Sequence, residues 1–177
     1  MNTLFRMLVL SASFAFVACS SITTLDLEVL TAAEINNFRA PESDILSTGQ
    51  PTAEQFQVMA DSGVKHVINL RTPGEDSGFD EQATVESLGM TYHNIPVSVG
   101  DGGINLSNSN SLQELLAQFE NEGVVVHCAT GNRVGALISL SEFEDGRSVD
   151  NSIIEGVRWG MTSERLQQVV RESLSSN

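Results

Sequence analysis

The residues best suited to chemistry lie between Cys128 and Arg133. An apolar run ends in His127 and Cys128, a short loop containing Gly131 follows, and Arg133 begins a segment that the pattern predicts to be helical. Backbone N–H groups of such a loop and of a first helical turn point into one concavity and favour an anion. The same field favours a thiolate, because cysteines at helix N-termini or beside cations have a lowered pKa. The stretch therefore predicts a thiolate nucleophile inside an anion-binding loop.

We expect the arginine and the loop residues to bind the anion together. Arg133 carries a planar guanidinium that matches two phosphate or sulfate oxygens. The loop residues predicted to present their amides to the same anion are Ala129, Thr130, Gly131 and Asn132. A cysteine at the end of a buried strand is often only a small core hydrophobe, but the glycine-containing loop and the arginine favour the functional interpretation. His127 alternates to the other face of its strand, so we expect it to hydrogen-bond and set the loop rather than touch substrate.

A thiolate that attacks phosphorus also requires a proton for the leaving group. We predict Asp101 as this acid, because it lies in a segment rich in Gly, Asn and Ser, residues 98–110, whose composition predicts a mobile loop. Glu75 and Asp76 are the alternatives, near the end of a strand where Arg71 could pair with either. We expect Arg71 to be structural.

Strands and helices alternate along the chain up to Cys128, and helices follow it. Helices are predicted over residues 31–39, with Thr31 and Glu34 as a capping box, and over 52–62, with Thr52 as N-cap and Gln55 three residues later. Further helices are predicted over 80–88 and 111–122 and after Arg133, and strands over 64–70, 90–97 and the run before Cys128. This alternation predicts an α/β domain with a mostly parallel central sheet flanked by helices. Ligands of such sheets bind at the carboxyl ends of the strands, where Cys128 lies.

The first 18 residues have the layout of a secretory signal. Arg6 precedes an apolar stretch that is too short to span a bilayer. The sequence Phe16–Cys19 resembles a bacterial lipobox, in which Cys19 would be lipidated and become the mature N-terminus; an ordinary cleaved signal is the alternative. Ser20 resembles the pattern of lipoproteins sent to the outer membrane. We therefore expect an exported protein, anchored at the periplasmic face of a bacterial membrane through a lipid on Cys19 and sorted to the outer membrane.

The domain organisation and charge follow from this assignment. We predict a tether over residues 19–30 and one folded domain, which carries the Cys128 loop, over residues 31–177. The formal net charge of −14 disfavours nucleic acid as a partner and gives no long-range attraction for an anionic substrate. If Cys19 is lipidated, Cys128 is the only remaining thiol, so no disulfide can form within the chain. The sequence shows no metal-ligand spacing, and thiolate chemistry needs neither metal nor cofactor; it does not indicate an oligomeric state.

Four segments resemble a known family. They are Ser47–Thr52, Gly63–Arg71 with Glu75, Ile95–Val97 and His127–Leu137. Together they are similar to the Cys-based protein tyrosine phosphatase superfamily and, within it, to the bacterial beta-lactamase-hydrolase-like phosphatases, over roughly residues 36–170. The resemblance implies a protein tyrosine phosphatase-like fold, a phosphate monoester substrate, a phosphocysteine intermediate at Cys128, and Arg133 gripping the phosphoryl oxygens.

The loop departs from the superfamily pattern in two ways. Most members have five residues between Cys and Arg, followed by Ser or Thr, whereas here four residues intervene and Val134 follows Arg133. A hydroxyl at that position would help the thiolate to leave. The shorter loop also resembles that of rhodanese sulfurtransferases, which carry a persulfide. A sulfurtransferase, or a phosphate-binding module without turnover, is therefore the alternative function.

Overall fold

A computed structural model of the chain describes residues 24–100 and 102–175. The strands in these ranges are β1 (Ile45–Thr48), β2 (Val64–Asn69), β3 (Thr91–Asn94) and β4 (Gly123–His127). The helices are α1 (Leu27–Ala32), α2 (Ala53–Asp61), α3 (Glu81–Ser87), α4 (Leu106–Gln118), α5 (Asn132–Glu144), α6 (Val149–Arg158) and α7 (Glu164–Ser175). Among these helices, none is long and apolar enough to cross a membrane. The predicted lipidation site Cys19 and the predicted acid Asp101 lie outside the described residues.

The strands form a parallel sheet in the order β1-β4-β2-β3. In this order β4 has a neighbour on each side, and His127 at its end aligns with Thr48 of β1 and Asn69 of β2. Because the strands run in one direction, their carboxyl ends meet at one edge of the sheet, and Cys128 follows directly at that edge. The prediction of an α/β domain with a mostly parallel sheet is confirmed.

Helices cover both faces of the sheet. On one face Val124 and Val126 of β4 pack with buried residues of α4, α5, α6 and α7. On the other face Val125 packs with buried residues of α1, α2 and α3. A strand buried on both faces needs an unbroken apolar run, which explains why three consecutive valines precede the His127-Cys128 pair. Each fully buried valine stabilises the fold by about 1.5–3 kcal/mol relative to exposure.

Helices α2 and α3 begin at the predicted positions, and a side chain caps each of them. Thr52 caps α2 with a reciprocal capping box, in which its hydroxyl accepts from the Gln55 amide at 3.2 Å and the Gln55 side chain accepts from the Thr52 amide at 3.0 Å. The side chain of Asp80 caps α3 by accepting from the Ala83 amide at 3.1 Å. A single side-chain oxygen satisfies an otherwise unpaired N–H at each of these helix starts.

The predicted helix over residues 31–39 is wrong. Asp26, rather than Thr31, caps the first helix, and the Thr31 hydroxyl donates back to the Leu27 carbonyl inside it. Glu34 has a left-handed φ of 50°, which ends any helical continuation. Leu25 and Leu30 are buried, so the folded domain begins before Thr31, and residues 24–30 of the predicted tether belong to it.

The start of α4 and the presence of β1 also differ from the prediction. Asn105 caps α4 by accepting from the Asn108 amide at 2.9 Å, so the helix begins inside the segment 98–110 that composition predicts to be a loop. Strand β1 was not predicted, because its buried Ser47 and Thr48 conceal the apolar pattern of a short strand.

Helix α5, which begins at the predicted anion loop, is held very close to α6. A Cβ atom added to Gly135 would lie 2.1 Å from the carbonyl oxygen of Gly156. Only glycine permits this separation. The close packing fixes the direction in which α5 leaves the loop.

Candidate active site

Cys128 lies at the carboxyl edge of the sheet with 1% of its surface exposed. The Gly131 amide donates a hydrogen bond to its Sγ at 3.1 Å, and α5 begins at the next residue, Asn132. An amide donor and a helix N-terminus both stabilise negative charge on sulfur. This local geometry is suited to a thiolate.

The turn that brings the Gly131 amide to the sulfur requires glycine. Gly131 has a left-handed φ of 81°, and a Cβ atom there would lie 2.4 Å from the side-chain nitrogen of Asn37. The Asn37 amide group donates to the carbonyl oxygens of Thr130 and Gly160, each at 2.8 Å. Asn37 thereby joins the anion loop to the segment that precedes α7.

Other contacts hold the loop from outside. The Ala129 carbonyl accepts from the Gln50 amide at 3.2 Å. The Asn132 side chain donates to the Thr130 hydroxyl at 3.0 Å and accepts from the Ser163 amide at 2.8 Å. The loop is therefore anchored to the segment after β1 and to the start of α7, independently of any ligand.

Arg133 is 8% exposed and is held by its two terminal nitrogens. Nη1 donates to Glu75 at 2.6 Å, to the Val97 carbonyl at 2.9 Å and to the Leu70 carbonyl at 3.3 Å, and Nη2 donates to the second Glu75 oxygen at 2.5 Å. A guanidinium has five N–H donors. These contacts do not use Nε–H or one Nη2–H. The guanidinium also hydrogen-bonds to the side chain of Cys128, so Arg133 lies beside the nucleophile.

Glu75 and Arg133 hold each other charged. Hydrogen bonds from Arg133 lower the pKa of Glu75 from 4.5 to about 2. The hydrogen bonds to Glu75 likewise raise the pKa of Arg133, and the charge of the neighbouring Cys128 adds to the effect. Glu75 is consequently ionised at neutral pH and cannot act as the proton donor that the sequence offered as an alternative to Asp101.

Arg71 has the structural role that the sequence predicts. Its Nε lies 3.4 Å from a Glu75 oxygen, its Nη2 donates to the Asp76 carbonyl at 2.7 Å, and its Nη1 donates to the Gln50 side chain. These contacts fix the segment that carries Glu75.

His127 belongs to a buried polar network behind the nucleophile. Its Nε2 lies 3.1 Å from Oε1 of Glu81. This Oε1 atom also accepts from Asn69 at 2.7 Å, and Oε2 of Glu81 accepts from Gln50 at 2.6 Å. Burial raises the pKa of Glu81, but its hydrogen bonds, above all that from His127, outweigh burial and lower it overall. An ionised Glu81 requires a proton on Nε2, so the imidazole donates this bond. The His127 ring also lies 5.7 Å from that of Phe56, which belongs to the core on the α1–α3 side of the sheet.

The structure thus gathers Cys128, the four loop residues and Arg133, and it adds three residues to which the sequence assigned no such role. Glu75 orients the guanidinium, Glu81 binds His127, and Asn37 secures the loop. The last two pairs are 46 and 93 residues apart in sequence, so no local pattern could indicate them. The described residues contain no group of three or more His, Cys, Asp or Glu side chains that could hold a metal ion.

Comparison with protein families gives one match over most of the chain. A family model described as "DSP-PTPase phosphatase fused to NAD+ Kinase" matches residues 15–174. Beta-lactamase hydrolase-like proteins are similar over a shorter region. The protein of Xylella fastidiosa strain Temecula1 is 38% identical over 104 residues, 56% of this chain and 23% of that protein. The protein of Agrobacterium fabrum strain C58 is 34% identical over 111 residues, 60% of this chain and 25% of that protein.

Solved structures share the fold at low sequence identity. A DUF442 protein from Shewanella putrefaciens CN-32 superposes with a TM-score of 0.63 at 22% identity, covering 85% of this chain and 97% of that one. The core catalytic domain of the PP-IP phosphatase SIW14 from S. cerevisiae superposes with a TM-score of 0.61 at 18% identity, covering 77% and 84%. The fold is that of protein tyrosine phosphatase-like proteins.

Proposed function

The chain belongs to the family described as "DSP-PTPase phosphatase fused to NAD+ Kinase", of the Cys-based protein tyrosine phosphatase superfamily, and on this premise we propose that it hydrolyses phosphate monoesters through a phosphocysteine intermediate at Cys128. One observation carries the proposal. The Gly131 amide lies 3.1 Å from the Cys128 sulfur, and Arg133, which Glu75 holds through both terminal nitrogens, also hydrogen-bonds to Cys128. A nucleophile, an anion-binding loop and a guanidinium are thereby close together, which supports displacement at phosphorus by the sulfur.

In the first step the Cys128 thiolate attacks phosphorus. An S–P bond forms, the bond from phosphorus to the ester oxygen breaks, and the loop amides and Arg133 stabilise the charge on the remaining phosphoryl oxygens. The departing oxygen takes a proton from a general acid, for which we propose Asp101. Gly100, its neighbour in sequence, lines a cavity together with the loop residues Thr130 and Asn132, which supports this choice.

In the second step water attacks the phosphocysteine. The S–P bond breaks, the thiolate leaves with the bonding electrons, and inorganic phosphate is released. Val134 is fully buried in the core and offers no hydroxyl to the departing sulfur. The Gly131 amide already donates to Sγ, so in this proposal it stabilises the leaving thiolate.

For the location of the protein we propose export, with a lipid on Cys19 anchoring it to the periplasmic face of a bacterial membrane, the outer membrane in particular. The support is the signal-like first 18 residues and the lipobox-like Phe16–Cys19. Mass measurement of the mature N-terminal peptide is the test. A diacylated or triacylated Cys19 is expected, and an unmodified N-terminus at another residue would contradict the proposal.

Turnover of p-nitrophenyl phosphate by the purified full chain tests the enzymatic proposal. We expect hydrolysis that is abolished in Cys128→Ser. No turnover, or turnover that the substitution leaves unchanged, would overturn it. Incubation with thiosulfate serves as the second arm, because a sulfurtransferase would gain one sulfur on Cys128. That gain without phosphate hydrolysis would identify the four-residue loop as a persulfide carrier instead.

A further inference from the structure

A cavity of about 480 Å³ opens beside the anion loop. Thr130 and Asn132 form its wall on the loop side, and Val99, Arg165, Leu166 and Val169 are among its other lining residues. From this position we propose that the cavity binds the alcohol part of the substrate. We infer that the preferred substrates are phosphate monoesters with an apolar body that carries a second anionic group. The inference rests on the proposed function.

Exposed aliphatic side chains line the cavity and indicate that the substrate has an apolar body. Val99 is 56% exposed and Val169 is 51% exposed, and Leu166 is buried beneath them at 7%. Exposed aliphatic groups gathered around a concave site favour an apolar ligand.

Arg165 lines the cavity and indicates that the substrate carries a second anionic group. Most cationic side chains in residues 24–100 and 102–175 pair with a carboxylate, namely Lys65, Arg71, Arg133, Arg147, Arg158 and Arg171. Arg39 and Arg165 have no such pair in this part of the chain, and of these two Arg165 lines the cavity. A guanidinium without a carboxylate partner among the described residues, in a cavity next to a phosphate loop, is suited to a second phosphate or carboxylate.

One wall of the cavity is held by a contact within the protein. The Ser163 amide donates to the Asn132 side chain at 2.8 Å, which ties the start of α7 to the loop. The start of α7, from which Arg165 extends, therefore keeps a defined position relative to the anion loop, and this lowers the cost of ordering a substrate with two anionic groups.

Equilibrium binding to Cys128→Ser protein tests the inference without depending on turnover. The probes are phenyl phosphate, 2-naphthyl phosphate and a carboxylated 2-naphthyl phosphate, titrated by calorimetry at low salt. We expect the naphthyl body to bind about fivefold more tightly than the phenyl body through added apolar contact. The carboxylate is expected to add about a further three- to fivefold through Arg165.

Two variants and their matched controls separate the contributions. Arg165→Gln should abolish the advantage of the carboxylate, whereas Arg171→Gln, on the same helix but outside the cavity, should retain it. Val169→Asp should abolish the advantage of the naphthyl body, whereas Ile154→Asp, an exposed position on α6, should not. Circular dichroism of each variant confirms folding.

The results that overturn the inference are distinct from failure of the proposed function. Equal affinity for the three probes, or an advantage that survives Arg165→Gln and Val169→Asp, would show that the cavity does not select the alcohol. Absence of hydrolysis of every probe by the unsubstituted chain would instead contradict the phosphatase proposal, and the binding preferences would still decide the role of the cavity.

Discussion

The substitution Glu75→Gln tests the proposed role of Glu75 in holding the guanidinium. Glu75 accepts hydrogen bonds from both terminal nitrogens of Arg133, at 2.6 and 2.5 Å. Glutamine keeps the shape and one acceptor oxygen but removes the negative charge. Arg133, whose side chain is 10% exposed, would then lose its carboxylate partner but keep the Leu70 and Val97 carbonyls, one amide oxygen and the Cys128 side chain.

The size of the effect follows from the pKa of Glu75. A carboxyl whose pKa falls from 4.5 to about 2 on folding would stabilise the fold at pH 7 by at most about 3 kcal/mol. Glu75 is 28% exposed in its side chain, so solvent screening reduces the expected loss in Glu75→Gln to about 1–2 kcal/mol. Because the folded-state pKa is depressed, the contribution is complete above pH 4.5 and disappears as the pH falls toward 2.

Urea denaturation of both proteins at pH 7, 5.5, 4 and 3 measures this directly. The difference in free energy of unfolding should be constant from pH 7 to 5.5 and should shrink at pH 4 and 3. Asp150→Asn is the control, because Asp150 is 77% exposed in its pair with Arg171 and should change stability by less than about 0.5 kcal/mol. A difference that is the same at pH 3 as at pH 7, or absent at pH 7, would refute the role of Glu75. A mispositioned guanidinium should also lower kcat/KM about 10- to 100-fold.

Three further predictions address the rest of the site. Asp101→Asn should lower kcat for an alkyl phosphate by about 100-fold or more. The loss of kcat for p-nitrophenyl phosphate should be far smaller, because nitrophenolate leaves without a proton. Equal losses for the two substrates would exclude Asp101 as the acid. Gly131→Ala forces a Cβ atom to 2.4 Å from the Asn37 side chain. It should destabilise the fold by at least about 1 kcal/mol more than Gly146→Ala, a control with a similar left-handed φ and no atom near the added Cβ. Thermal unfolding measures both variants, and equal shifts would contradict the contact. Glu81→Gln should lower the free energy of unfolding at pH 7 by about 1–2 kcal/mol, with the loss diminishing below the ordinary pKa of a glutamate; an unchanged value would mean that the His127 contact is energetically neutral.

The sequence predicted the parts of the site that are local. The apolar run of β4, the loop after Cys128 and Arg133 are contiguous, so residue order alone places them at the carboxyl edge of a parallel sheet. The start of α2 followed from Thr52 and Gln55 for the same reason. Local physical rules are sufficient where the interacting groups lie within a few residues of one another.

The parts that the sequence did not predict depend on distant partners. Glu75 was an alternative to Asp101 as the general acid, because nothing near it in sequence indicates that Arg133, 58 residues later, binds it. Thr31 and Glu34 satisfied the capping-box pattern, but Asp26 started the helix earlier, since Leu25 and Leu30 gained burial there. Tertiary burial outweighs a local capping preference of about 1 kcal/mol.

Rapid-quench mass measurement of the peptide that contains Cys128 tests whether hydrolysis passes through a phosphocysteine. During hydrolysis of p-nitrophenyl phosphate by the full chain, we expect a transient gain of about 80 Da, one phosphoryl group, on the Cys128 sulfur. The same peptide from Cys128→Ser should gain nothing, and that protein should not turn over substrate. Sustained hydrolysis by Cys128→Ser, or a phosphoryl group found on another residue, would contradict the account.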